Sequence, residues 1–196
     1  MVSDIKLDLL RHGETTAGSC FIGSTDVELS QPGWEQMKQA VAGKPGYDVV
    51  ITSPMLRCLE FSKYFALQNN IDCITSDAMR EMTFGTWEAK NSQQIWEEDS
   101  RRLSLFWDDP VNNPPPEGDN LTEFYNRVVH GFEGILADYK DQSVLVVAHG
   151  GSIKSIIAWA LGLDLKQLNR INISHGTKIS MHVHYDGCKY FPVINL

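Results

Sequence analysis

The stretch Ile5-Lys6-Leu7-Asp8-Leu9-Leu10-Arg11-His12-Gly13-Glu14-Thr15 decides how the whole chain is read. Ile5 to Leu10 is largely apolar and strand-like, and it runs directly into a cation, an imidazole and a glycine. A buried strand ending in Arg11-His12-Gly13 delivers two anion-seeking groups to a strand-to-loop junction, where open α/β sheets carry their sites. The arrangement suggests a phosphate pocket with His12 as its nucleophile. Alone the tripeptide is a weak signal, because Arg-His pairs also occur as ordinary surface residues.

Two further stretches repeat this architecture. Asp48 to Thr52 reads as a second buried strand leading into Ser53-Pro54, the expected N-cap and first residue of a helix running to about Leu67. Arg57 falls in its first turn, where a cation opposes the helix dipole and a ligand role is favoured. Ser143 to Ala148 is the most apolar strand, and it runs into His149-Gly150-Gly151 and a helix from Ser152 to Leu161, stopped at Gly162.

The intervening chain alternates in the same way. Glu14 to Leu29 is a long loop punctuated by Gly18 and Gly23, and loops of that length are usually functional. Ser30 caps a helix reaching about Ala42, with Pro32 in its first turn and Gly43, Pro45 and Gly46 stopping it. Ile71 to Thr75 is a short strand. Leu121 to Tyr139 carries apolar residues at the helical period, with Asn120 and Glu123 placed for a capping box. Thr177 to Asn195 reads as a hairpin turning at Asp186-Gly187. Met79 to Pro116 breaks the pattern, with Trp87, Trp96 and Trp107 among polar residues and a helix expected from Ser92 to Trp107. Strands alternating with helices predict an α/β fold. The expectation is a three-layer α/β/α sandwich, one domain over residues 1–196. Its central sheet is mostly parallel, and a cap-like helical insertion at about 85–120 covers the C-terminal ends of the strands.

Composition limits the function classes. The chain has 196 residues, 42% of them hydrophobic and 21% charged, which is ordinary for a folded globular protein. A net charge of −8 disfavours nucleic acid as a partner. It leaves room for a small phosphomonoester, because a local arginine cluster dominates the field in a cleft. The start, Met1-Val2-Ser3-Asp4-Ile5-Lys6, has no basic segment followed by an apolar run, and no stretch approaches a membrane span of ~20 apolar residues. Cys20, Cys58, Cys73 and Cys188 are scattered without metal-ligand spacing and are expected as reduced thiols of a cytoplasmic protein.

If the strands are parallel, Arg11, His12, Arg57 and His149 converge on one rim. Two arginines bind phosphoryl oxygens and balance developing charge, and helix N-termini after Ser53 and Gly151 add N–H donors. Guanidinium charge nearby keeps His12 unprotonated, so that it attacks as a neutral imidazole. The bland alternatives are a loop histidine for His12 and a satisfied core histidine for His149.

These residues carry a resemblance. Arg11-His12-Gly13-Glu14-Thr15 with Phe21-x-Gly23-x-x-Asp26-x-x-Leu29-Ser30-x-x-Gly33 resembles the opening of the histidine phosphatase (phosphoglycerate mutase-like) superfamily. Ser53-Pro54-Met55-Leu56-Arg57 resembles its second motif, Arg80-Glu81-Met82-x-Phe84-Gly85-x-Trp87-Glu88 its acidic motif, and Ala148-His149-Gly150-Gly151 its last. The resemblance implies that His12 is phosphorylated, that Glu81 protonates the leaving oxygen, and that Arg11, Arg57 and His149 hold the phosphoryl group. Water then hydrolyses the phosphohistidine, with no metal or cofactor. An asparagine common after the first motif is missing here, with Thr16, Ala17, Gly18 and Ser19 in its place. Backbone near Gly18 or Gly23, together with Gly150, is expected to serve the phosphate instead. Within the superfamily, the short chain and the Leu29-Ser30-x-x-Gly33-Trp34 run look most like alpha-ribazole phosphatases of cobalamin synthesis. That likeness implies removal of the 5′-phosphate from alpha-ribazole 5′-phosphate. The alternatives are a phosphoglycerate mutase, a sugar (bis)phosphate phosphatase, or a phosphate-binding module without catalysis.

The other candidates read more simply. Glu88 and Glu14 are nearby carboxylates that compete with Glu81 for the donor role; otherwise Glu88 reads as a solvated helix residue and Glu14 as orienting Arg11 or Arg57. Trp87, Trp96, Phe106 and Trp107 either line a pocket for an aromatic leaving group or pack a small subdomain. His182 and His184 alternate along a strand without a third ligand, so no metal is expected there. Asp4 and Asp8 read as polarity at the edge of a strand. The oligomeric state is left open.

Overall fold

A computed structural model describes residues 2–43 and 46–195; Met1 and the expected helix stop at Pro45 lie outside the described residues. Six strands form one sheet in the order β3-β2-β4-β1-β5-β6. They are β1 (Ser3–Arg11), β2 (Val49–Thr52), β3 (Asp72–Thr75), β4 (Ser143–Ala148), β5 (Lys178–Tyr185) and β6 (Tyr190–Asn195). The pairs β1–β4, β2–β4 and β2–β3 are parallel. The C-terminal hairpin adds two antiparallel pairs at the edge beside β1. The sheet is therefore mixed and mostly parallel, with helices around it.

The period of two along β4 shows how the layers arise. Val144, Val146 and Ala148 face α4 (Leu121–Asp138) and α5 (Gly150–Leu161), whose Phe132, Leu136, Ile153 and Ile156 complete that core. Leu145 and Val147 face α1 (Gln31–Val41) and α2 (Leu56–Asn69), whose Met37, Cys58 and Phe61 complete the other. A third, smaller cluster joins Trp87, Ile95, Leu103 and Phe106 around α3 (Ser92–Asp108), a helix bent at Asp99. Among the described residues no helix is long and apolar enough to cross a membrane.

Several local expectations are corrected. Helix α2 begins at Leu56 and not at Pro54: Ser53 is drawn away to His149, and Asp26 from the distant loop accepts the Leu56 amide at 2.8 Å. Helix α5 starts two residues early, at Gly150, with His149 as its N-cap. Asn120 caps α4 through the amides of Thr122 and Glu123, while the full reciprocal capping box lies at Asn91 and Gln94 on α3. Asp8 is more than edge polarity. It is half-buried, and it accepts from Tyr47 at 2.5 Å, Ser180 at 2.6 Å and Lys178 at 2.7 Å. Burial pushes its carboxyl up, but these partners outweigh that and hold it below the usual range. Asp4 does sit in the open, sharing one oxygen between His182 at 3.5 Å and His184 at 2.9 Å.

Order β3-β2-β4-β1 places β4 between the first two strands in sequence, so chain connections diverge on either side of the β1–β4 junction. Arg11 pairs with Ala148 at its upper end. The loop after β1 is closed at its base by a bridge between Thr15 and Leu29. It is also pressed against α1: a Cβ on Gly33 would lie 2.0 Å from the Glu14 carbonyl oxygen, and one on Gly13 would lie 2.1 Å from that of Gly33. Backbone thus touches backbone where the Arg-His-Gly turn meets the helix. Gly33→Ala is expected to lower unfolding free energy by about 1–3 kcal/mol, the range for overpacking a close contact, as read from urea denaturation midpoints.

Candidate active site

Arg11, His12, Glu81 and Gly150 line one cavity of about 330 Å³. His12 is 5% exposed, and its Nδ1 lies 2.8 Å from the carbonyl oxygen of Gly13. A carbonyl only accepts, so Nδ1 carries the proton and Nε2 keeps the lone pair. Burial, then the Arg57 guanidinium, pushes the His12 imidazole well below its usual value; Gly13 pulls the other way, and Arg11 and His175 push further down.

Arg57 and His149 lie behind His12, fully buried. The His12 and His149 rings meet edge to face with centroids 5.2 Å apart. Arg57 Nε donates to His149 Nδ1 at 3.2 Å, which leaves Nε2–H of His149 to donate to Ser53 Oγ at 2.7 Å. The other hydrogen bonds of the guanidinium go to backbone carbonyls: Nη1 to Thr25 at 2.9 Å, Nη2 to Gly23 at 2.8 Å and to Ile22 at 3.3 Å. Burial first, and Arg57 second, push the His149 imidazole well below its usual value. Both side chains lie behind the His12 imidazole, and neither lines the cavity in this structure.

Arg11 reaches the cavity from the end of β1. Its Nη1 donates to the Ile173 carbonyl and its Nη2 lies 3.0 Å from His175 Nε2, while Nε is buried with no hydrogen-bond partner among the described residues. Gly150 lies over this guanidinium, 3.5 Å from where its own Cβ would stand. Glu81 spans the first turn of α5: one oxygen accepts from Gly151 at 2.8 Å, the other from Met82 at 3.0 Å. A Cβ on Gly151 would fall 2.3 Å from Glu81 Oε1, so a side chain there would displace the carboxylate from the start of α5. Gly18 lines the cavity beside Ser19 and Cys20, whereas the Gly23 amide is turned to Glu88 at 3.1 and 3.2 Å.

Glu88 is not a solvated helix residue. Its half-buried carboxylate accepts from the amides of Gly23, Ser24, Thr25 and Phe84, and from the Thr25 hydroxyl at 2.5 Å. Burial pushes its carboxyl up, but the bonds from Phe84, Thr25 and Ser24 prevail and hold it below the usual range. Glu14 turns away from both arginines and pairs with Gln36, through its side chain at 2.8 Å and its amide at 2.9 Å.

Sequence reasoning missed His175 and Lys154, both of which line the cavity. His175 sits in an irregular segment without periodicity; its ring centroid is 5.3 Å from that of His12, and burial, then Arg11, lowers it to about 4. Lys154 had a findable signal, since it lies one helical turn beyond Gly150 on the same helix. Of the aromatics, Trp107 lines the cavity and Phe106 a smaller adjoining one of about 110 Å³. Trp87 is buried in the third cluster and Trp96 is exposed. Among the described residues no three His, Cys, Asp or Glu side chains gather in a way that could hold a metal.

This geometry has relatives. A bifunctional protein of Mycobacterium tuberculosis is 27% identical over 195 residues, covering 97% of this chain, and the chain spans about half, 53%, of that relative's length. The adenosylcobalamin/alpha-ribazole phosphatase of Escherichia coli is 25% identical over 177 residues, covering 88% of this chain and 87% of the relative. The solved structure of a mycobacterial glucosyl-3-phosphoglycerate phosphatase superposes with a TM-score of 0.85 at 22% identity over 97% of both chains, a likeness of fold. The model of the Histidine phosphatase superfamily (branch 1) matches residues 7–195, and the chain belongs to that family.

Proposed function

We propose that this protein hydrolyses phosphomonoesters through a phosphohistidine on His12. The observation that carries the reading is a neutral, buried imidazole with its Nδ1 proton fixed on Gly13 and its lone pair left at Nε2, beside the Arg11 guanidinium. The phosphoryl group docks against Arg11 and the Gly150 backbone. Nε2 attacks phosphorus, the ester P–O bond breaks, and Glu81 gives a proton to the departing alkoxide. Water then attacks the phosphohistidine, returns a proton to Glu81 and releases inorganic phosphate. Arg57 and His149 act from behind, their charge and hydrogen bonds fixing the imidazole pair.

Family membership supports a phosphatase or a mutase. Alpha-ribazole 5′-phosphate is the finer reading, supported by the Escherichia coli relative and by an aromatic wall of Phe21, Phe84 and Trp107 beside the phosphate cavity. One catalytic unit covering residues 1–196, with the segment at about 85–120 as its cap, completes the proposal. The experiment is a phosphate-release panel including alpha-ribazole 5′-phosphate, run with rapid-quench labelling. Wild-type protein forms an acid-labile phosphoenzyme, and His12→Ala loses label and at least ~10³-fold in kcat. Hydrolysis at the wild-type rate by His12→Ala refutes the reading.

Glu88 is a positioning residue in this scheme. Its carboxylate gathers the amides of residues 23–25, whose carbonyls in turn hold Arg57. Glu88→Gln is expected to cost about 10²-fold in kcat/KM, as small misplacements do, while label still forms on His12. Steady-state kinetics with phosphopeptide mapping checks both parts.

Three imidazoles held neutral also set a pH dependence. His12, His149 and His175 bind protons less readily folded than unfolded. Below about pH 6.5 the unfolded chain takes up protons that the folded one refuses, so stability falls as pH falls, by up to ~1.4 kcal/mol per unit for each group. For His175 the window runs from 6.5 down to about 4. His175→Gln should make the curve of urea midpoint against pH shallower across that window, and parallel curves would refute the assignment.

A further inference from the structure

Lys154 is a half-buried cation at the edge of the active-site cavity. It stands on α5 where the phosphate cavity meets the smaller one, and it lines both, together with Phe21, Phe84 and Trp107. No hydrogen bond or ion pair joins its ammonium to another described residue. Glu81, the nearest carboxylate acting on it, is committed to the amides of Met82 and Gly151. Burial pushes the ammonium below the ordinary lysine range, with Glu81 drawing it back up and Arg11 pushing it further down. An ammonium partly withdrawn from water and lacking a hydrogen bond loses some of its solvation, and a ligand that supplies an acceptor recovers that loss.

The smaller cavity defines what brings the acceptor. Its wall is mainly apolar, with Phe106, Pro110, Leu121 and Leu168, and Lys154 is its only basic lining residue among the described residues. A second phosphate calls for more positive charge, best supplied as a bidentate guanidinium, and a single lysine does not provide it. One acceptor on an otherwise apolar body suits the site.

We propose that Lys154 determines specificity by donating to a hydrogen-bond acceptor on the leaving alcohol, whose flat apolar body lies in the smaller cavity. The inference rests on the phosphomonoesterase reading and narrows it to esters of apolar alcohols bearing either a carboxylate or a neutral ring nitrogen. Phosphonates, which cannot be hydrolysed, separate these two sources of the same chemistry. The full chain is titrated calorimetrically at pH 7.5 with benzylphosphonate, which has no acceptor, and with carboxybenzylphosphonate and pyridylmethylphosphonate as 3- and 4-isomers.

At least one acceptor-bearing ligand is expected to bind about tenfold tighter than benzylphosphonate, the effect of one hydrogen bond to a charged group. Lys154→Met abolishes that preference, and Lys154→Arg retains it, which separates lost recognition from a folding defect. A carboxylate preference assigns an anionic alcohol; a pyridyl preference assigns a neutral heteroaromatic one. Equal affinities in the wild type, absence of binding included, or a preference surviving in Lys154→Met overturns the proposal. Because phosphonates are not turned over, a chain that keeps the preference yet releases phosphate from no ester refutes the hydrolase reading alone.

Discussion

A guanidinium cation sealed completely inside the protein is the constraint on which the site is built. Arg57 is 0% exposed, and a charge in that position is tolerated only if its donors are met. Three backbone carbonyls from one loop and one imidazole nitrogen accept four of its five N–H donors. Those carbonyls point inward only because the amides of the same loop are gathered outward by Glu88. An anion and a cation thus grip opposite sides of residues 22–25 without touching each other. The loop between them is ordered by electrostatics as much as by packing, which explains how a segment so rich in glycine and serine holds a defined shape.

The consequences run outward from that cation to the chemistry. Placed against His149 and close to His12, Arg57 disfavours a proton on either ring, adding to the effect of burial. Neutral imidazoles packed edge to face are compatible neighbours, whereas two imidazolium ions at that distance would repel. The chain is acidic as a whole, yet this junction is ringed by Arg11, Arg57 and Lys154. A phosphate dianion is drawn to this local field, and net charge is a poor guide to it.

How much of this was legible in the sequence depends on the kind of interaction. Strands β2 and β4 announce themselves because buried parallel strands are apolar on both faces, β1 by its alternation of buried apolar and polar residues, and the motifs at their ends fall at predictable places. Helix starts were less legible. Ser53 has the composition of an N-cap but is captured by His149, and Asp26, thirty residues upstream, does the capping. Glu88 and Asp8 misled for the same reason: a carboxylate among polar neighbours looks solvated until distant segments bring it donors. His175 lies in a segment without periodicity, and only the sheet's closure through β5 brings it to Arg11.

The glycines explain why so small a loop carries so much chemistry. Gly13 and Gly33 let the turn after β1 settle directly onto the first turn of α1, and Gly151 lets the Glu81 carboxylate settle onto the first turn of α5. In each case a side chain is removed so that backbone meets a polar group at hydrogen-bond or van der Waals distance. The proposed nucleophile and the proposed proton donor are thereby fixed to two helix starts on opposite faces of the same sheet. Their separation is then set by the β1–β4 pairing, in which Arg11 lies opposite Ala148. A proton donor placed this way need not be carried in by a closing lid. What the segment carrying α3 contributes is a wall, through Phe106 and Trp107, against which the leaving alcohol of the proposed reaction would lie.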